Sequence, residues 1–250
     1  MLRRDFVKPR SLPDGFSRKI HKRLGLHQQH GLIPEHTGSR QVSHLDGQKL
    51  YLKVSAENEL IAIDSCDVVH GRFSFSGRLD STRLATVYMD ERSLLPVVLE
   101  NGKINIRIDH TQQICSGTPM NDKLTEFLKH YNQIASQRAE LVHLHDQAIM
   151  NGSDMGEIVK ELNQRALQLE NDEDKLVTGF ITDNFDNTLG PGVFMMMTGH
   201  TEYPMLSPWI EDIMSKATDR FKNDPYVKSY YEKAKENEAI MNGTKEMPRK

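Results

Sequence analysis

Cysteine is almost missing from this chain of 250 residues, which holds only Cys66 and Cys115. Two cysteines so far apart make neither a C-x-x-C redox pair nor a four-thiolate zinc site. Two reduced thiols are therefore expected, with one structural disulfide as the alternative if the body is exported. No apolar run reaches the ~18 residues that a membrane-crossing helix needs. Met1-Leu2-Arg3-Arg4 leads into charge and proline instead of an apolar signal core, so the chain as written reads as cytoplasmic. Glycine-rich phosphate loops are absent as well, which removes the P-loop and dinucleotide-binding classes.

Charge is present in both signs but unevenly spread. The formal net charge is −3. Residues 1–44 carry nine Lys or Arg against Asp5, Asp14 and Glu35, a net of +6, which leaves the remainder at −9. A basic arm on an acidic body suggests a tether to nucleic acid or to an anionic membrane. Pro9, Pro13, Gly15, Gly25, Gly31, Pro34 and Gly38 interrupt any helix there, so residues 1–41 are expected to be a solvated, disordered arm. The acidic body would repel phosphate, and no nucleic-acid partner is expected. Hydrophobic residues at 37% and charged ones at 27% describe a soluble, somewhat polar chain.

The hydrophobic pattern changes period along the chain. Between Leu45 and Ile108 it alternates, as in half-buried strands. Strands are predicted over Leu50–Val54, Leu60–Ile63, the Phe73/Phe75 stretch, Leu84–Met89, Pro96–Leu99 and Ile104–Ile108. Asp46-Gly47, Asn58-Glu59 and Asn101-Gly102 supply turns, the last as a hairpin signal. Gly71 breaks the stretch Ile63–Gly77, which reads as a half-buried hairpin. From Pro119 the period becomes helical. Leu124, Phe127, Leu128, Tyr131, Ile134, Leu141, Leu144 and Ile149 mark one helix or a broken pair, with Asn121-Asp122 at its start. A second helix is expected from Met155 to Leu169 and a third, short one from Leu176 to Phe185. Val193–Met197 reads as a buried helical segment. Further helices begin after Pro208 and at Asp224-Pro225. The fold class is α+β: an antiparallel, β-sandwich-like module over 42–115, then an all-helical part over 116–250.

Several of these residues resemble a known family. Gly47-Gln48-Lys49-Leu50-Tyr51-Leu52, Ile63-Asp64-Ser65 and Gly71-Arg72-Phe73-Ser74-Phe75-Ser76-Gly77 are similar to the core of domain of unknown function four-three-six-nine. Leu99-Glu100-Asn101-Gly102, Ser116-Gly117-Thr118-Pro119-Met120-Asn121-Asp122 and Thr188-Leu189-Gly190 continue the likeness, which spans roughly 42–240. That family occurs in envelope lipoproteins of Bacteroidetes, usually ahead of a thioredoxin-like domain. The resemblance implies a β-rich module, a helical second part and a place on the periplasmic side of the envelope, with no established ligand or catalytic residue. Residues 1–41 match nothing in it, its lipoprotein signal and first strand have no counterpart, and no C-x-x-C pair follows.

No constellation marks a reaction, a cofactor or a metal. His143 and His145, near His130 and Asp146, point about 200° apart on a helix and cannot share an ion. The histidines at 21, 27, 30 and 36 are irregularly spaced. Cys115 would need a histidine and a carboxylate beside it to act as a nucleophile, and Asp109 and His110 stand at a strand terminus, so a structural thiol is expected. Asp183, Asn184, Asp186 and Asn187 lack the ladder, glycine and final glutamate of a calcium loop. Met195-Met196-Met197 point three ways on a helix and read as core. Trp209, Tyr226, Tyr230 and Tyr231 read as packing residues of the last helices. The expected function is a non-catalytic, envelope-associated binding or assembly module for an unknown envelope protein or small ligand. The alternative is an accessory or truncated part of a thioredoxin-like thiol-disulfide oxidoreductase.

Overall fold

The computed structural model describes residues 47–244 apart from 57, 58, 71, 109–112, 200 and 202. The basic arm, its histidines, Asp46, the Asn58 turn, the Gly71 break and the pair Asp109 and His110 lie outside the described residues. Strands β1 (Lys49–Ala56), β2 (Glu59–Asp67), β3 (Arg83–Met89), β4 (Arg92–Leu99), β5 (Asn105–Ile108) and β6 (Gln113–Ser116) come first. Helices α1 (Pro119–Met150), α2 (Met155–Thr182), α3 (Leu189–Thr198), α4 (Pro208–Lys216), α5 (Asp219–Lys222) and α6 (Pro225–Met241) follow. The architecture is α+β, with antiparallel sheets ahead of helices. Two compact units divide it: one holds Gln133–Glu173, the other the remaining described residues.

In the larger unit β1 to β4 form an antiparallel sheet in the order β2-β1-β3-β4, and β5 pairs with β6. Alternation explains the burial. Leu50, Leu52 and Val54 of β1, Ala85 and Val87 of β3, and Leu95 and Val97 of β4 fill one apolar cluster. Cys115 closes the same cluster from β6, and Ile104, Ile106 and Ile108 pack against it, so the two sheets share a core. Register slips once in each outer ladder, between Leu52 and Lys53 of β1 and between Val87 and Tyr88 of β3.

Two expected elements are absent. Phe73 and Phe75 make no strand; Val69 and Arg72 form an isolated bridge, with His70 at φ +52°. The alternation there survives as burial alone, because Phe73 and Phe75 pack on the sheet core while Ser74 and Ser76 stay exposed. Asn101-Gly102 joins no hairpin between β4 and β5, since β5 pairs with β6 instead. The tight turn falls at Asp90-Glu91, between β3 and β4, with Asp90 at φ +52°.

The helical core of this unit gathers around Phe194 of α3, whose ring meets Tyr230 at 5.4 Å, Phe221 at 5.7 Å and Trp209 at 6.1 Å between centroids. Leu124 and Phe127 of α1, Val177 and Ile181 of α2, and Ile210 and Ile213 of α4 enclose it, and Val98 reaches it from β4. Pro208 and Pro225 occupy the first turns of α4 and α6, where no intrahelical N–H is needed. Asp224 caps α6 by accepting from the N–H groups of Tyr226 and Val227. Thr218 starts the unanticipated α5 through the N–H of Phe221.

The smaller unit contains the later part of α1, from Gln133, and the earlier two thirds of α2, to Glu173. The helices expected over Met155–Leu169 and Leu176–Phe185 are one continuous α2 up to Thr182. Its core is small: Leu141, Leu162 and Ala166 are buried, with Val142, Leu144, Ile158 and Leu169 packed around them. Arg138 and Glu173 form a largely buried ion pair within it.

Candidate functional site

A buried, hydrogen-bonded polar cluster sits where β4, β6 and the start of α1 meet. Pro119 begins α1, so Asn121 lies inside the first turn and not at the cap expected for it. Asn121 is 0% exposed. Its Oδ1 accepts the Val98 N–H at 2.8 Å, and its Nδ2 donates to the Val98 carbonyl at 2.7 Å. The side chain thus takes both main-chain groups of a residue on an edge strand, as a neighbouring strand would. Nδ2 also donates to Thr118 Oγ1 at 2.8 Å. Glu100 accepts from the N–H groups of Met120 and Asn121 at 2.8 and 3.2 Å, placing a carboxylate at the positive end of the helix. Asp122 accepts from the Gly117 N–H, and Gly117 sits at φ +97°, a conformation favouring glycine. Thr125 donates to the Cys115 carbonyl.

Cys115 belongs to this cluster. Its thiol donates to Asn121 Oδ1 at 3.1 Å. Burial, reinforced by the carboxylates of Asp122 and Glu100, pushes its pKa up to about 12. Such a thiol stays protonated at neutral pH and offers no nucleophile. Cys66 is half-buried and also raised, mainly by desolvation, against a lowering hydrogen bond from the Ser74 backbone. Both cysteines are free thiols.

Many of the other described residues singled out from the sequence are engaged by their neighbours. Gln147 Nε2 donates to His143 at 2.9 Å, His145 lies 3.3 Å from Asp146, and His130 lies 3.4 Å from Glu126. Among the described residues no three His, Cys, Asp or Glu side chains are placed to hold a metal ion. Asn184 donates to the Phe180 carbonyl and accepts from Asn187, while Asp186 accepts from the Thr218 hydroxyl. Met196 and Met197 pack against the helical core. Tyr226 shares a 3.0 Å hydrogen bond with Thr198, Tyr230 donates to the Met205 carbonyl, and burial raises both phenols above their ordinary range. A shallow depression of about 370 Å³ beside Tyr231 and Met214 is edged by the exposed lysines Lys222, Lys228 and Lys235.

The edge of β2 is an unsatisfied surface among the described residues. β2 is the last strand of its sheet, with no partner on its far side among the described residues. It exposes Leu60 by 54%, Ile61 by 48% and Ile63 by 44%, with Val69 at 60% just beyond. The register sets Ile61 opposite buried Val54, and Leu60 and Ala62 opposite Ser55 and Lys53 on the other face. Apolar side chains therefore project from both faces of an open edge, an arrangement soluble proteins ordinarily cover or charge. Nothing in the sequence marked Leu60–Ile63 as an edge, because strand order depends on long-range pairing.

Fold and surface together describe an α+β module with an open, apolar strand edge. The family described as Domain of unknown function (DUF4369) matches residues 37–124, which shows the resemblance carried by the motifs over that stretch. The match contains both sheets and the first turn of α1, and ends ahead of Thr188-Leu189-Gly190. No curated protein and no solved structure matches the chain.

Proposed function

We propose that the chain is a non-catalytic binding or assembly module acting at the cell envelope, on its periplasmic side. The open β2 edge, with Leu60, Ile61 and Ile63 exposed on a strand that has no outer neighbour among the described residues, carries this reading. The buried, protonated Cys115 supports it, since it offers no nucleophile at neutral pH. The envelope location rests on the resemblance over 37–124 alone.

Site-specific photo-crosslinking in the cells that make the protein tests both parts. A crosslinker at Leu60 or Ile61 is expected to join one and the same segment of an envelope partner, identified by mass spectrometry. The same group at exposed Lys175 is expected to give nothing. No adduct from β2, or equal adducts from all three positions, would overturn the reading.

A further inference from the structure

We infer that the open edge of β2 binds an extended polypeptide strand in which lysine or arginine alternates with apolar residues, adding that strand to the sheet. This rests on the binding reading above and names the partner's chemistry. In an antiparallel ladder every second residue gives its N–H and carbonyl to the neighbour, and those between point outward. The Val68 N–H donates to the Gln48 carbonyl, and Val68 accepts from Gly47, which sets the alternation. Asp64 and Cys66, opposite Leu52 and Leu50, face β1; Ser65 and Asp67 face outward. Beyond the irregularity at Ile63, the register of β1 leaves Leu60 and Ala62 facing outward. The Ser65 N–H is already taken by the Asp64 carboxylate at 2.7 Å. Main-chain pairing is therefore directed to Leu60–Ile63, where the apolar side chains stand.

Charge selects the partner. The nine residues of β2 include Glu59, Asp64 and Asp67 and no lysine, arginine or histidine. Only Asp67 faces a cation across the ladder, Lys49; Glu59 stands opposite Ala56 and Asp64 opposite Leu52. A strand that sets its cations on the face of Ile61 would neutralise Glu59 and Asp64, and its apolar residues would cover Leu60 and Ala62 on the other face. A second copy fits worse. Two copies would bring carboxylates and no cation to the shared edge, so Glu59 and Asp64 would stay unneutralised.

Fluorescence anisotropy with the full chain tests this, using two labelled peptides of the length of β2. One alternates lysine with valine and the other glutamate with valine. The lysine peptide is expected to bind at least about tenfold more tightly, with the preference shrinking as salt rises. Glu59→Lys combined with Asp64→Asn is expected to weaken the lysine peptide about tenfold and to narrow the gap between the two peptides. Ala62→Pro removes one outward N–H without touching the β1 ladder, and is expected to abolish peptide binding while the thermal midpoint is kept. Equal affinities, or a lysine peptide indifferent to the charge changes, would overturn the inference, as would a concentration-dependent dimer in sedimentation that excludes the peptide. If positions 60 and 61 still crosslink in cells while neither peptide binds, the strand inference falls and the binding reading stands. If both experiments are blank, both fall.

Discussion

Asn121 shows how much one side chain can hold. It satisfies the N–H and the carbonyl of Val98 while remaining 0% exposed itself. Asn121→Ala would leave both Val98 groups and the Thr118 hydroxyl buried without partners, and each such group costs about 1–3 kcal/mol. Urea denaturation should show a loss of about 3 kcal/mol; a loss below about 0.5 kcal/mol would mean the cluster contributes little. Cys115 gives a second test at this scale. Its folded pKa is raised to about 12, against an ordinary thiol value of about 8.5 in the unfolded chain. Above the unfolded value the unfolded state loses its proton first, so the folded state binds more protons and stability falls as pH rises. The stabilisation is complete below about pH 8.5 and is lost toward pH 12. Cys115→Ala should flatten stability over that window relative to the unsubstituted chain, and an unchanged slope would count against the buried-thiol geometry. In native buffer at pH 8, iodoacetamide should label Cys66 well before Cys115, and urea should equalise the two.

Elements were legible where period and punctuation agreed. β1, β3, α4 and α6 follow from alternation, or from proline in a first turn, with no help from distant residues. The elements that differ were decided by long-range partners. Phe73 and Phe75 alternate like a strand, yet they pair with no strand among the described residues and their rings pack on the sheet core. Asn101-Gly102 has hairpin chemistry, but Gly102 lies under Thr118 at the foot of α1, and β5 finds β6. The polar run from Glu170 to Lys175 read as a helix break. It continues α2 because Asp172 accepts from Gln168 and Glu173 pairs with Arg138. Asn121 has the chemistry of a cap, yet Pro119, a residue suited to the first helical position, sets an earlier start. The candidate site was least legible of all, since an edge and a central strand share one composition. The first turn of α3 carries a prediction of its own. A Cβ on Gly190 would lie 2.4 Å from the Asn184 carbonyl oxygen, whereas one on Gly192 would lie 3.1 Å from a Leu84 methyl. Backbone cannot yield as a side-chain tip can. Gly190→Ala should therefore cost about 2–3 kcal/mol and Gly192→Ala clearly less, by thermal unfolding. Equal losses would contradict the close packing of α3 on residues 184–185.

Across the whole molecule, burial is divided unequally between the two units. The larger holds two extensive apolar clusters, one on the sheets and one around Phe194. In Gln133–Glu173 only Leu141, Leu162 and Ala166 are buried in a shared cluster, and the adjoining polar contact is the Arg138–Glu173 pair. Arg138 Nε is buried there without a hydrogen-bond partner, so part of what the ion pair contributes is offset by desolvation. Segments with few buried apolar contacts open at lower free energy than the rest of a domain. Native-state hydrogen exchange should thus find the amides of 133–173 less protected than those of 119–132 and 174–198, although α1 and α2 are each one unbroken helix. Leu141→Ala sharpens the test, because truncating a buried leucine costs about 2–5 kcal/mol where the surroundings cannot collapse. If 133–173 opens as a unit of its own, the substitution will speed exchange there and leave the protection around Phe194 unchanged. Equal acceleration at both places would mean that the helices unfold as single bodies, with the small cluster of Leu141, Leu162 and Ala166 cooperating fully with the large one.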